Sequence, residues 1–259
     1  MPGINVGRLK RLEVVVPPLA EQKRIARILD AADALRAKRR ESLSQLDSLL
    51  QSTFLDLFGD PVSNPMGWEI CSLESVTDKI TDGTHKTPFY KNSGVEFLSA
   101  KDLKDGGIAW GTGKFISESE HHELVKRCNP EFGDILLAKS GSLGNVAIID
   151  RNHQFSLFES LCLIKHIRKK VEGSFLIGLL RSPAMLAHLL GKNKGVAIKH
   201  LHLVDVRNLQ IPLPPLPLQR RFAAIVESVE RQKARQRAHL AELDALFASL
   251  QHRAFRGEL

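Results

Sequence analysis

One phrase occurs twice in this chain. "PPLAEQKRIARI" at Pro17–Ile28 returns as "PPLPLQRRFAAI" at Pro214–Ile225, an offset of 214 − 17 = 197 that then holds without a gap. It sets Gln22 on Gln219, Arg24 on Arg221, Ala26 on Ala223, Arg40 on Arg237, Asp47 on Asp244, Leu49 on Leu246 and Phe58 on Phe255. The lead-ins match too: "LEVVVPPL" and "LQIPLPPL" are both short β-type runs stopped by a double proline. A repeat at fixed offset means a repeated structural element. Whatever lies between the copies is a different kind of structure.

Each copy reads as a strand, a proline stop and one long helix. Ile25, Ile28, Ala32 and Leu35 recur at steps of three and four, and Leu43, Leu46, Leu50 and Leu57 resume the stripe. Phe222, Ile225, Val229, Leu240, Leu243, Phe247 and Leu250 do the same in the second copy. No glycine or proline interrupts Glu21–Phe58 or Leu218–Phe255. The first is then a rod of roughly 55 Å at about 1.5 Å per residue. A helix with a narrow apolar stripe along such a length needs a partner helix, and its twin is the obvious one. Both copies turn basic midway, "RAKRR" at 36–40 and "ARQR" at 234–237. Two readings stay open for these runs: a solvated face, or a register-setting segment facing the partner helix.

Residues 59–208 differ. Short apolar runs such as "GVEFLSAKDLKDGGIAW", "GDILLAKSGSLGNVAIID" and "SLCLIKHI" are punctuated by Gly and Asp as strand ends and hairpins require. "GSFLIGLLRSPAMLAHLLGKN" reads as one or two helices interrupted at Pro183. The expected fold is α+β: one mixed α/β globular domain flanked by two long helices that pair as an antiparallel coiled coil. Its parts are a lead-in strand and Pro-Pro turn (1–20), helix (21–58), globular domain (59–208), strand and Pro-rich turn (209–217), and helix (218–256).

A net charge of +8 and a pI near 9.5 favour a polyanionic partner, nucleic acid before membrane. Cys71, Cys128 and Cys162 have no CxxC spacing, so buried free thiols are expected rather than zinc ligands or a disulfide framework. No run of about 18 apolar residues and no signal pattern is present, so no membrane partner and a cytoplasmic location are expected.

Motifs of catalysis are missing. There is no Walker A loop, and the GxG at Gly111–Gly113 lacks a third glycine. "NPMG" at 64–67 lacks the second proline and the aromatic of the amino-methyltransferase motif. His121-His122 and His200/His202 have no carboxylate or cysteine companions at ligand spacing, and Ser140 in "KSGSLG" lacks the nucleophile elbow. No catalytic residue and no metal ligand is therefore assigned.

Three loops suit phosphates and base edges. "ITDGTHKTP", Ile80 to Pro88, makes a turn at Asp82-Gly83 and projects Thr84, His85 and Lys86. "LAKSGSLGN", Leu137 to Asn145, carries Lys139, Ser140, Ser142 and Asn145 on a glycine-rich loop. "GKNKGVAIKHL", Gly191 to Leu201, carries Lys192, Lys194 and Lys199, and Lys101 and Lys104 lie in "SAKDLKDG". Lysine and hydroxyl contacts to phosphate give salt-dependent affinity, while base readout needs side chains in a groove.

In order, "PPLAEQKRIARILDAADALRAKRRESLSQLDSLLQSTFLDLFGDP", "ITDGTHKTPFY", "VEFLSAKDLKDGGI", "FGDILLAKSGSLGNVAII" and "IPLPPLPLQRRFAAIVESV" closely resemble the specificity (S, HsdS-type) subunits of type I restriction-modification enzymes. The resemblance covers essentially the whole chain. It implies a non-catalytic subunit whose target recognition domain reads half of a bipartite double-stranded DNA site, spaced by paired helices. It implies docking to methyltransferase (M) subunits and, through them, to the restriction/translocase (R) subunit. S-adenosylmethionine and ATP would belong to those partners, and no cofactor is expected here.

Such subunits carry two recognition domains, whereas only one is legible here, and "GINVGRLKRLEVVVPPL" looks like the tail of a missing first domain. The expectation is a half-length S subunit acting as a homodimer on an interrupted palindrome. Ile25, Ile28, Leu35, Leu43, Leu46, Phe222, Ile225, Val229, Leu240 and Leu243 are the residues expected at helix contacts. A stand-alone methyltransferase or nuclease, a recognition subunit of a related methyltransferase system, and a coiled-coil scaffold without DNA binding are the other readings.

Overall fold

A computed structural model describes residues 7, 16–104, 106–191 and 200–259. The chain forms two compact units, residues 1–47 with 230–259, and residues 48–229. In chain order the helices are α1 (Leu19–Phe58), α2 (Glu118–Val125), α3 (Gly173–Arg181), α4 (Pro183–Gly191), α5 (Leu203–Arg207) and α6 (Leu216–Arg256). The strands are β1 (Ile70–Ser72), β2 (Thr77–Asp82), β3 (Val95–Leu98), β4 (Leu103–Lys104), β5 (Gly107–Ile108), β6 (Lys114–Ile116), β7 (Ile135–Ala138), β8 (Val146–Ile148), β9 (Phe155–Leu157), β10 (Leu161–His166) and β11 (Gln210–Pro212).

Both long helices begin two residues before the positions expected from the apolar stripe, for one local reason. The Pro18 carbonyl accepts from the N–H groups of Glu21 (2.9 Å) and Gln22 (3.0 Å), and Gln22 Nε2 donates back to the Pro17 carbonyl at 2.8 Å. At the second copy the Pro215 carbonyl accepts from Leu218 (2.9 Å) and Gln219 (3.3 Å), and Gln219 Nε2 donates to the Pro214 carbonyl at 2.7 Å. The Pro-Pro-Leu-x-x-Gln phrase is thus a helix-starting device. Proline fixes φ, and the glutamine satisfies a carbonyl left free outside the first turn. α1 stops at Gly59, whose φ of 76° is a left-handed helix end.

In the first unit α1 and α6 pair antiparallel. Arg24 bonds to the carbonyl of Leu259, Arg36 Nε to Asp244 at 2.6 Å, Arg39 to Gln236, and Lys233 Nζ to Asp47 at 2.7 Å. Arg39 and Gln236 are themselves repeat mates, 197 residues apart. The pairs Arg36–Asp244 and Asp47–Lys233 exchange under the same offset (233 − 36 and 244 − 47). The helix pair therefore carries an internal pseudo-two-fold axis. The basic runs divide between the two readings: Arg36, 4.3 Å over the Phe247 ring, and Arg39 face the partner helix, as does buried Lys233 just before the second run, whereas Lys38, Arg40, Arg235 and Arg237 are exposed.

Leu35 is expected in the seam and is not in it. Leu35 is 54% exposed, because the stripe passes through buried Ala32 and half-buried Arg36 and Arg39, and one residue's step turns Leu35 about 100° away. Ile25, Ile28, Leu43, Leu46, Leu240 and Leu243 are half-buried.

The second unit is built on an antiparallel sheet of order β2-β10-β7-β8 and a three-stranded sheet of order β6-β3-β9, in which β3 and β9 run parallel. β1 pairs with β11, and β4 with β5. Its limits differ from 59–208, since the unit takes in the last turns of α1 and the first of α6. The reason is aromatic packing. Phe54, Phe58, Phe175 and Phe222 are buried with ring centroids 4.9–5.7 Å apart, and a Cβ added at Gly178 would lie 2.6 Å from the Phe54 ring. Phe222, expected in the helix seam, is thus a core residue of this unit, and Ile225 and Val229 also belong to it. No single described helix is long and apolar enough to cross a membrane. The apolar pair α3–α4, bent by 67° at Ser182, supplies Leu176, Leu179, Met185 and Leu189 to the core.

The two glutamines predict unequal consequences. Gln219 is fully buried and its Oε1 also accepts from Glu172 N at 2.9 Å, whereas Gln22 is exposed. Gln219→Leu strands two buried backbone groups and should lower unfolding free energy by about 2 kcal/mol or more. Gln22→Leu should cost less than about 1 kcal/mol in the same urea titration.

Candidate nucleic-acid interface

The expected loops converge on one short segment, Leu157–Leu161. The Leu157 carbonyl accepts from Thr84 N (2.9 Å), and Glu159 N donates to the Thr84 carbonyl (2.9 Å). Ser160 Oγ accepts from Ala100 N at 3.0 Å, next to Lys101, and the Ser160 carbonyl accepts from Lys139 N at 2.8 Å. Leu201 N donates to the Lys139 carbonyl at 2.9 Å, and Asn145 Nδ2 donates to the Leu103 carbonyl at 3.0 Å. Loops distant in sequence are thereby tied together by main-chain groups at the strand ends.

The Asp82-Gly83 pair is not the turn that the sequence suggests. Asp82 ends β2, and Thr84 forms a parallel bridge with Phe158. A Cβ on Gly83 would lie 2.0 Å from the Leu157 carbonyl oxygen, so glycine is required by the close approach of two backbones. The chain bends one step later, at His85 and Lys86, where Thr84 Oγ1 accepts from Lys86 N at 3.1 Å.

Lys139 is the main correction. It was expected to reach phosphate, but its Nζ lies 2.5 Å from Asp82 Oδ2, and the side chains are 3% and 4% exposed. Arg127 donates to Asp82 Oδ1 (2.9 Å) and to the Asp82 and Gly83 carbonyls, and His85 Nε2 lies 3.2 Å from Asp82 Oδ2. Burial alone would push the Asp82 carboxyl up. The Lys139 hydrogen bond and charge, with His85 and Arg127, outweigh it and hold the group below its ordinary value. A buried charge without a partner is costly, so this pair is internal and unavailable to a ligand.

The other candidates divide. His85, Lys86, Lys101 and Lys104 are exposed; Thr84 is half-buried. Ser140 and Ser142 are half-buried, and exposed Asn145 spends its amide on Leu103 rather than on solvent. Lys192, Lys194 and Lys199 lie outside the described residues. Sequence reasoning missed Asp82 and Arg127 as the organising charges. Asp82 stood in the quoted loop, yet Arg127 lies 45 residues away with no motif to mark it.

Catalytic or metal chemistry finds little to use. Among the described residues no cluster of three or more His, Cys, Asp or Glu is placed to hold a metal ion. An open cleft of about 350 Å³ near His121 and His153 has its histidines engaged, His121 Nδ1 with Ser156 Oγ at 2.9 Å and His153 Nε2 with Glu96 at 3.1 Å. Burial pushes the Cys128 and Cys162 thiols up to about 11 and about 12, so both stay protonated and inert.

The second unit thus carries exposed cations at His85, Lys86, Lys101 and Lys104. The chain belongs to the family described as the type I restriction modification DNA specificity domain, which matches residues 1–45 and 65–245. It is 26% identical to the type I restriction enzyme EcoBI specificity subunit of Escherichia coli over 94% of this chain and 58% of that one. Against the MjaVIII specificity subunit of Methanocaldococcus jannaschii the identity is 24%, covering 89% and 58%. Among solved structures, the HsdS subunit from Thermoanaerobacter tengcongensis aligns with TM-score 0.53 at 23% identity, covering 100% of this chain and 64% of that one. The S subunit from M. genitalium aligns with TM-score 0.59 at 17% identity, covering 97% and 65%. The chain spans 58% of the length of each of the two relatives named.

Removing one charge of the Asp82–Lys139 pair leaves the other buried and alone. Lys139→Ala should therefore cost about 3 kcal/mol or more in unfolding free energy, measured by urea denaturation. Because the Asp82 carboxyl is depressed in the folded state, its contribution is complete above the unfolded value of about 3.9 and is lost as pH falls through the folded value. The wild type should lose stability steeply below about pH 4. Asp82→Asn, less stable at neutral pH, should lack that part of the fall.

Proposed function

We propose that this chain is the sequence-reading subunit of a type I restriction-modification complex. The second unit would read one half-site in double-stranded DNA, and the chain would do no chemistry itself. The observation that carries this reading is the convergence of the loops bearing His85, Lys86, Lys101 and Lys104 on the Leu157–Leu161 segment, in a family defined by DNA specificity. S-adenosylmethionine and ATP belong, in this reading, to methyltransferase and restriction subunits docked on it in the cytoplasm. Two copies related by a two-fold axis would present two recognition units to an interrupted palindrome. The pseudo-two-fold axis of the helix pair supports that part, because a symmetric surface offers equivalent positions to two partners.

Duplex binding by the purified chain, measured by anisotropy across a salt series, tests the first part. Affinity should fall steeply with salt, and Lys86→Ala should flatten the log–log slope by about 1 at little cost in stability. An affinity indifferent to salt would favour the scaffold reading. Light scattering, alone and with the methyltransferase subunit, tests the second part. A dimer or a two-plus-two assembly is expected, and a strict monomer in both conditions would refute the symmetric arrangement.

A further inference from the structure

Phe89 stands out on the second unit. It is 86% exposed, whereas Pro88 before it is buried and Tyr90 after it, 40% exposed, rests on other side chains. The Tyr90 ring lies 6.0 Å from Phe97, which lies 6.2 Å from Phe158. Lys91 N donates to the Phe115 carbonyl at 2.8 Å, fixing the backbone on the far side. The ring is held in solvent by an anchored loop. A single exposed aromatic needs no explanation by itself; its surroundings are what distinguish this one. His85, Lys86, Lys91 and Lys114 are all exposed on the same loop or the strand beside it, with Lys114 Nζ 3.7 Å over the Tyr90 ring. The nearby carboxylates are Asp82, consumed by Lys139 and Arg127, and Glu159, whose Oε2 is 4.0 Å from His85 Nδ1. An apolar side chain with exposed cations on its own loop and on the strand paired with it suits a ligand that offers both apolar and anionic groups. A base-pair edge between two phosphate backbones has that pattern.

We propose that Phe89 enters the groove of the DNA read by this unit and packs on the 5-methyl group of a thymine, while Lys86, Lys91 and Lys114 hold the flanking phosphates. The inference rests on the DNA-recognition reading above and adds to it a specificity-determining residue absent from the polar candidates. Groove contact rather than insertion between base pairs is proposed, because it needs no unstacking of a base step.

The test starts from the wild-type chain and a pool of randomised DNA duplexes, from which the bound fraction is sequenced. Affinities for the selected duplex are then measured with thymidine or deoxyuridine at each fixed A·T pair. The wild type should select a motif with at least one fixed A·T pair at which uracil weakens binding about fourfold, the value of one buried methyl group. Phe89→Ala should bind about tenfold more weakly and lose the uracil penalty at that pair. Its salt slope and its melting temperature should stay as in the wild type, since the ring is neutral and exposed. A Phe89→Ala chain that keeps both wild-type affinity and the uracil penalty overturns the proposal. So does binding without any selected motif, or a rise in 2-aminopurine fluorescence that reports unstacking at the contacted step. If the wild type shows no salt-dependent duplex binding, the DNA-recognition reading itself fails, a result separate from any of these.

Discussion

The site depends on one buried carboxylate. Asp82 terminates β2 and gathers Lys139 from the end of β7, Arg127 from beyond α2 and His85 from its own loop. Three sequence-distant segments thus share one charge, with the Asp82 and Lys139 side chains buried and Arg127 and His85 at the surface end. In such surroundings an unpartnered charge is costly, so the segments stay together or the region opens. Lys139 belongs to this internal brace, while Lys86 on the bend and Lys101 and Lys104 beyond it are exposed and take no part in it. Gly83 serves the same end by letting the Asp82 strand run flush against Leu157.

The helix repeat has a comparably physical origin. Two alike helix starts, each made by prolines and one glutamine, launch two helices that keep the sign of charge at Asp33/Glu230, Arg36/Lys233, Arg40/Arg237 and Asp47/Asp244. Laid antiparallel, the pattern is self-complementary: Arg36 meets Asp244 where Lys233 meets Asp47, and Arg39 meets its own mate Gln236. Exposed ion pairs contribute little stability singly. A set that matches at one register and mismatches at others still selects alignment, which apolar side chains at three- and four-residue spacing do only weakly. The repeat in the sequence and the axis in the fold are one fact.

The helix starts and the Asp82 brace are matters of backbone geometry and buried charge, whereas base readout needs only a few side chains on loops. Exposed loop residues such as Lys86 can change without touching the Asp82–Lys139 pair.

Much of this was legible from residues alone, because it was local or periodic. The two long helices follow from uninterrupted apolar stripes, the proline stops from fixed φ, the break at Pro183 from a missing N–H, and the family from its motifs. What the sequence could not assign was which polar side chains turn inward. Lys86 and Lys139 both follow a glycine-containing loop or strand end, yet one is exposed and the other is 2% exposed on a buried aspartate. Leu35 and Arg36 likewise exchange the roles their hydropathy suggests, and Phe222 leaves the helix stripe for a ring cluster with Phe54, Phe58 and Phe175. Local pattern determined the elements, since propensity and period act over a few residues. The tertiary structure decided the partners, since a buried charge or ring is satisfied only by groups the fold brings from elsewhere in the chain.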